Sequence, residues 1–143
     1  MSYCEQADLL QQIDEAMLIQ LTDDDNLGAV AEDVVARAIA DADGEIDGYL
    51  GARHSVPLDP VPDIVRKCSA DIAIYNLFSR RGAAPELRAE RYKGAVKFLE
   101  HVAKGVISLG ADDPEGSPPN TDAPEFHSSN PDRIFNRNNL KGF

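Results

Sequence analysis

The chain has 143 residues, which is enough for one compact domain and too few for two. A hydrophobic share of 43% supports a core, whereas 6% aromatic residues and no tryptophan argue against a large β-sandwich. The formal net charge of -11 disfavours a general nucleic-acid binder, because phosphate contacts need a basic surface. The two cysteines, Cys4 and Cys68, exclude a disulfide scaffold and indicate a reducing, cytosolic context.

The charge is unevenly distributed along the chain. Residues 1–50 carry thirteen acidic side chains and one basic side chain, a net charge of -12. Residues 51–110 carry ten basic and six acidic side chains, a net charge of +4, and residues 111–143 carry -3. Poles of opposite sign suit head-to-tail contacts between copies, and solvated helix faces are the alternative interpretation.

The beginning of the chain is acidic instead of basic and apolar, so the sequence predicts no signal peptide. No apolar run reaches the length of a membrane span.

The acidic half is predicted to form two short helices and one long helix. The short helices span residues 5–12 and 14–21. Asp14 is placed to cap the second of them with its side chain. The long helix begins at Ala29, with Asn26 as its N-cap, and stops at Gly51. Its apolar stripe, spaced by three or four residues, consists of Val30, Val34, Val35, Ala38, Ile39, Ala42, Ile46, Tyr49 and Leu50.

The basic half is predicted to form two more helices. Each begins near a proline, Pro62 or Pro85, which is tolerated in a first turn. The first ends in the basic Ser79–Gly82 segment, and the second ends near Gly105 or Gly110. The apolar side of the last helix is predicted to hold Leu87, Tyr92, Ala95, Val96, Leu99, Val102 and Val106. The predicted fold is therefore all-α, a compact bundle of about four to five helices over residues 1–110.

The composition changes after Gly110. Four of the nine prolines fall between residues 114 and 124, so residues 111–130 are predicted to be an extended linker. Residues 131–143 again contain large apolar side chains, which indicates an arm that docks on a neighbouring subunit or a partner. Packing on its own domain is the alternative. The predicted partner-binding residues are Arg133, Ile134, Phe135, Arg137, Leu140 and Phe143.

The segment from Thr22 to Gly28 has some features of a calcium-binding loop. Asp23 and Asp25 fit its first and third positions, but Leu27 and Val34 stand where the fifth and twelfth positions need oxygen ligands. An acidic turn that caps the following helix is the better interpretation.

The other residues that could carry chemistry form no recognisable site. The histidines His54, His101 and His127 are far apart and have no metal-ligand spacing. Cys68 lies on an apolar stripe and is predicted to be a core residue, and Cys4 has no basic neighbour to activate it. No nucleophile motif or phosphate-binding glycine loop occurs. We therefore predict no catalytic residue, no metal, no cofactor and no enzymatic activity.

The basic half leaves one alternative function open. Its bases suit either a small helical DNA-binding regulator or contact with an acidic protein surface, although interspersed acids weaken the first. They include Arg66, Lys67, Arg80, Arg81, Arg88, Arg91, Lys93 and Lys97.

Several short segments, in their order and spacing, carry a family resemblance. They include Tyr3-Cys4, Leu21-Thr22-Asp23, Glu45–Leu50, Pro57-Leu58, Val61-Pro62, Asp71-Ile72-Ala73, Arg91-Tyr92, Ser108-Leu109-Gly110 and Gly142-Phe143. With them the chain resembles a family of Mu-like phage and prophage proteins encoded among phage morphogenesis genes. His54 departs from the aromatic residue expected beside Arg53.

The resemblance implies a head–tail connector, or adaptor, of a tailed phage. Such subunits form a ring, typically of twelve copies, between the portal protein and a neck stopper or tail-completion protein. The ring would be assembled in the host cytoplasm, reside in the virion neck without membrane contact, and extend the channel through which DNA passes without sequence-specific binding. Residues 1–110 would be the connector domain, and residues 131–143 its docking arm.

An acidic channel lining would repel the passing DNA. The candidate channel-facing residues are Asp23, Asp24, Asp25, Asp41 and Asp43.

Overall fold

A computed structural model describes residues 1–110, and that range contains five α-helices and no strand. The helices are α1 (Gln6–Leu10), α2 (Glu15–Thr22), α3 (Glu32–Leu50), α4 (Asp63–Arg80) and α5 (Glu86–Ala103). The helices pack against one another as a bundle, which confirms the predicted all-α fold. The predicted linker (111–130) and arm (131–143) lie outside the described residues.

The first two helices begin at side-chain caps. Asp14 accepts a hydrogen bond from the backbone N–H of Met17 at 2.9 Å, which confirms it as the N-cap of α2. At α1, the backbone N–H of Glu5 donates to the Asp8 carboxylate at 2.8 Å as part of a capping box.

Helix α3 begins later than the sequence predicted. It starts at Glu32 after Ala31, not at Ala29, and Asn26 does not cap it. The reason is that the preceding turn has its own hydrogen bonds. Asp23 accepts from the backbone N–H groups of Leu27 and Gly28, and the N–H of Ala31 donates to the Thr22 hydroxyl at 3.1 Å. The acidic turn therefore closes on itself, and the prediction that it caps α3 is wrong.

Helix α4 is the centre of the bundle. It packs against α1, α2, α3 and α5, and its residues 68–74 are buried without interruption. The predicted core residue Cys68 is among them. Ile72, Ile74 and Leu77 are fully buried, and each such side chain contributes about 1.5–3 kcal/mol to stability.

Tyrosines connect α4 to both of its long neighbours. The rings of Tyr75 and Tyr92 stack with centroids 4.2 Å apart, and the Tyr92 hydroxyl donates to Glu45 of α3 at 2.8 Å. Side chains of α3, α4 and α5 therefore meet at this stacked tyrosine pair, and the Tyr92 hydroxyl is its polar end.

The apolar side of α5 is only partly the one predicted. Ala95, Leu99 and Val102 are buried, as expected. Leu87 and Val106 are 57% and 52% exposed, so their assignment to the core side is wrong. Leu87 lies in the first turn of α5, and Val106 follows the end of the helix.

Candidate interaction surfaces

The acidic turn, residues 22–28, is attached to the end of α4. Asp24 forms ion pairs with Arg80 and with Arg81, the latter at 2.9 Å, and Arg80 also donates to the carbonyl oxygen of Leu21 at 3.1 Å. Hydrogen bonding to Arg80 lowers the pKa of Asp24, and the N–H groups of Leu27 and Gly28 lower the pKa of Asp23. Both carboxylates are therefore charged, and both have structural partners.

The two acidic candidates on α3 have different environments. Asp41 is exposed, whereas Asp43 is only 9% exposed. Asp43 accepts hydrogen bonds from the Tyr3 backbone N–H at 3.1 Å and from the Ser69 hydroxyl at 2.8 Å. Burial raises the pKa of Asp43. A buried carboxylate with these partners cannot line a channel, so the prediction for Asp43 is wrong.

The helical register of α3 contains the signal that Asp43 is buried. It stands four residues after Ile39 and three before Ile46, which places it on the buried stripe. The same register argument applies to Asp71 on α4, three residues after Cys68.

The beginning of the chain is held by the polar cluster around Asp43. The Tyr3 hydroxyl is hydrogen-bonded to Asp47 and accepts from the backbone N–H of Leu58 at 3.0 Å. The Ser69 hydroxyl lies 3.1 Å from the Cys4 sulfur. Tyr3 and Cys4, which contribute to the family resemblance, are therefore part of the core and not of an exposed site.

The environment of the two cysteines disfavours thiol reactivity. Burial raises the pKa of both the Cys4 and the Cys68 thiol to about 11, which leaves very little reactive thiolate near neutral pH. Of the histidines, His54 is buried and His101 is partly buried, while His127 lies outside the described residues.

The buried carboxylate of Asp71, in α4, contacts basic side chains of the second half of the chain. Asp71 pairs with Lys67 at 3.0 Å and lies 3.8 Å from Arg91, although sequence analysis gave it no role. Arg88 donates to both the side chain and the carbonyl oxygen of Gln12 at 2.9 and 3.0 Å. Much of the positive charge of the second half is therefore engaged by acceptors within the domain.

An apolar groove lies between α2 and the α4–α5 turn. One end has a volume of about 260 Å³ and is lined by Ile13, Met17, Phe78, Pro85 and Leu87, together with Asp14 and Arg88. The other end, about 570 Å³, also contacts Met17 and Phe78 and extends to Asp23 and Arg81. We call this feature the α2 groove. Sequence analysis missed it, because its walls come from three helices whose packing no single periodicity shows.

Within residues 1–110, no group of three His, Cys, Asp or Glu side chains could hold a metal ion. None of the described helices combines the length and apolarity that crossing a bilayer requires. The predicted arm residues lie outside the described residues, and their role remains a prediction. They are Arg133, Ile134, Phe135, Arg137, Leu140 and Phe143.

Comparison with known proteins places this domain among phage gene products. The model of the family described as Bacteriophage Mu, Gp36 matches residues 3–128. Mu-like prophage FluMu protein gp36 of Haemophilus influenzae is 34% identical over 109 residues, which cover 76% of this chain and 74% of that protein. Gene product J of Escherichia phage Mu is 31% identical over 145 residues, covering 100% of this chain and 99% of that protein.

Proposed function

The chain belongs to the Bacteriophage Mu Gp36 family, and on that premise we propose that it is a structural head–tail connector subunit of a tailed phage. The observation that supports the proposal is that carboxylates of this phage-family domain bind other parts of the same domain. The side chains of Asp24, Asp43 and Asp71 pair with residues of other elements, at the end of α4, on α4 and on α5 respectively. They serve to hold a helical body together, as a subunit of an assembly requires.

A ring between the portal and a neck stopper or tail-completion protein is the assembly we propose. Exposed acidic side chains on α3 and in the acidic turn, and exposed basic side chains on α5, give one copy surfaces of opposite charge. Such surfaces favour repeated contacts between copies, which close into a ring when the rotation between neighbours is right. Twelve copies is the number expected from the resemblance.

The proposed channel lining is smaller than the sequence suggested. Asp43 is buried and Asp24 is paired with two arginines, so Asp25 and Asp41 are the strongest remaining candidates. Negative charge at these positions would keep passing DNA from adhering to the wall.

The arm, residues 131–143, is proposed to dock on the portal protein or an adjacent subunit. Deleting these residues should leave the helical domain folded, because residues 1–110 already form a continuous buried core. The deletion should nevertheless prevent heads from joining tails. Circular dichroism of the purified variant and electron microscopy of particles made with it measure the two effects. Normal virions from the deleted gene would contradict the proposed arm.

The alternative, a DNA-binding regulator, has less support from the geometry. Arg80 and Arg81 form ion pairs with Asp24, and Arg91 lies 3.8 Å from Asp71, so carboxylates offset part of the charge available to phosphates. We expect weak anisotropy changes with labelled duplex DNA at 50 mM salt. Tight binding that weakens steeply as salt rises would favour the regulator instead.

A further inference from the structure

The α2 groove is an apolar surface that the described residues leave uncovered. Leu87 is 57% exposed at its edge, and Met17 and Phe78 are only partly buried at its floor. Its wider end, about 570 Å³, has a partly polar lining that includes Gln20, Asp23 and Asn26, whereas its narrower end, about 260 Å³, is mostly apolar. A space of this size suits one or two large side chains of a peptide.

From this groove we infer that the unassembled chain stores its own arm there, with Ile134 and Phe135 as the anchors. The inference rests on the proposed function only for the later step, in which a binding partner displaces the arm from the groove. Docking in the free chain is argued from the apolar end of the groove, the apolar anchors of the arm and the length of the tether.

The tether is long enough to return the arm to the groove. The first turn of α5 lines the groove, and the 18 residues of this helix span about 27 Å. About twenty residues separate Gly110 from the arm, and a coil of that length has a mean end-to-end distance of about 25 Å. A tether matched to its span gives an effective concentration on the order of millimolar, which favours the same copy over a second one in dilute solution.

The arm is basic, and the groove carries charged side chains of both signs. Over residues 131–143 the chain carries Arg133, Arg137 and Lys141 and one acidic side chain, Asp132. Asp14 and Asp23 line the two ends of the groove. Arg81 and Arg88 also line the groove and keep their charges, because the Leu21 and Gln12 oxygens to which they donate are neutral. Docking therefore depends on the apolar anchors of the arm.

Cysteine cross-linking in the full chain tests this docking. The paired substitutions Leu87→Cys and Phe135→Cys place one thiol in the groove and one in the arm. The native cysteines do not interfere, because both are buried with pKa values near 11. The matched control pairs Phe135→Cys with Lys97→Cys, an exposed position further along α5. In dilute protein under mild oxidation, we expect the Leu87 pair to form an intramolecular disulfide roughly tenfold faster than the control.

Three results would overturn the inference. Equal rates for the two pairs would mean that the arm does not prefer the groove, and disulfide-linked dimers would mean that a second copy fills it. Unchanged amide hydrogen exchange of residues 133–140 on Leu87→Lys substitution would also contradict docking, because a positive charge among the apolar side chains of the groove should expel a basic arm. None of these measurements involves particles, so the inference can fail while the head–tail joining assay succeeds, and the reverse.

Discussion

At the scale of single residues, Asp43 shows how a carboxylate can stabilise a fold and still be costly to ionise. It holds the Tyr3 backbone and the Ser69 hydroxyl, yet burial raises its pKa above the ordinary value of 3.8. The folded chain therefore keeps this proton at pH values where the unfolded chain has lost it. By linkage, the contribution of Asp43 to stability is largest below pH 3.8 and decreases as pH rises through the folded-state pKa.

We expect the Asp43→Asn variant to lack this decrease. The substituted side chain does not ionise, and it retains an acceptor for Tyr3 and a donor for the oxygen of Ser69. Relative to the wild type, its free energy of unfolding should rise as pH increases from 3.8 toward neutrality. Urea unfolding of both proteins across this range measures the difference and cancels the titration of all other groups. A difference that stays constant with pH would contradict the assigned environment.

At the scale of elements, two glycines in and just after α5 should respond in opposite ways to substitution by alanine. Gly94 lies inside α5 with open space around it, and Gly105 follows the helix at φ +75° against the Arg53 guanidinium. Gly94→Ala should stabilise the domain by about 0.5–1 kcal/mol, because alanine loses less backbone entropy in a helix. Gly105→Ala should destabilise it by about 1–2 kcal/mol, because a Cβ atom opposes the left-handed conformation. Thermal unfolding of both variants provides the comparison, and equal shifts would contradict the helix end described here.

The elements also show what sequence reasoning can predict here and what it cannot. Asp14 and the stripe from Val34 to Leu50 depend on local periodicity and capping, and both were predicted correctly. The start of α3 was misplaced because Thr22 and Asp23 close a turn that competes with a helix for the same N–H groups. The α2 groove and the contact of Asp71 with Arg91 depend on which helices meet, and that information is not local.

At the scale of the whole molecule, only part of the charge difference between the two halves of the sequence remains on the surface of the folded domain. Some charges cancel inside the domain, as Asp24 does with Arg80 and Arg81. Others stay exposed, including Asp41 on α3 and Lys93 and Lys97 on α5. The remaining asymmetry is on the surface, where it can act between copies.

Contacts between such surfaces should be sensitive to salt. We expect concentrated protein to self-associate at 50 mM salt and to dissociate progressively toward 1 M, because the screening length falls to about 3 Å. The double variant Lys93→Glu/Lys97→Glu should associate less at low salt, since it removes positive charge from α5 while leaving the core intact. Sedimentation velocity measures both effects, with Asp59→Asn as a control for a charge change in the 51–62 loop. Association that strengthens with salt would indicate an apolar contact instead, and would remove charge asymmetry as the basis of the proposed ring.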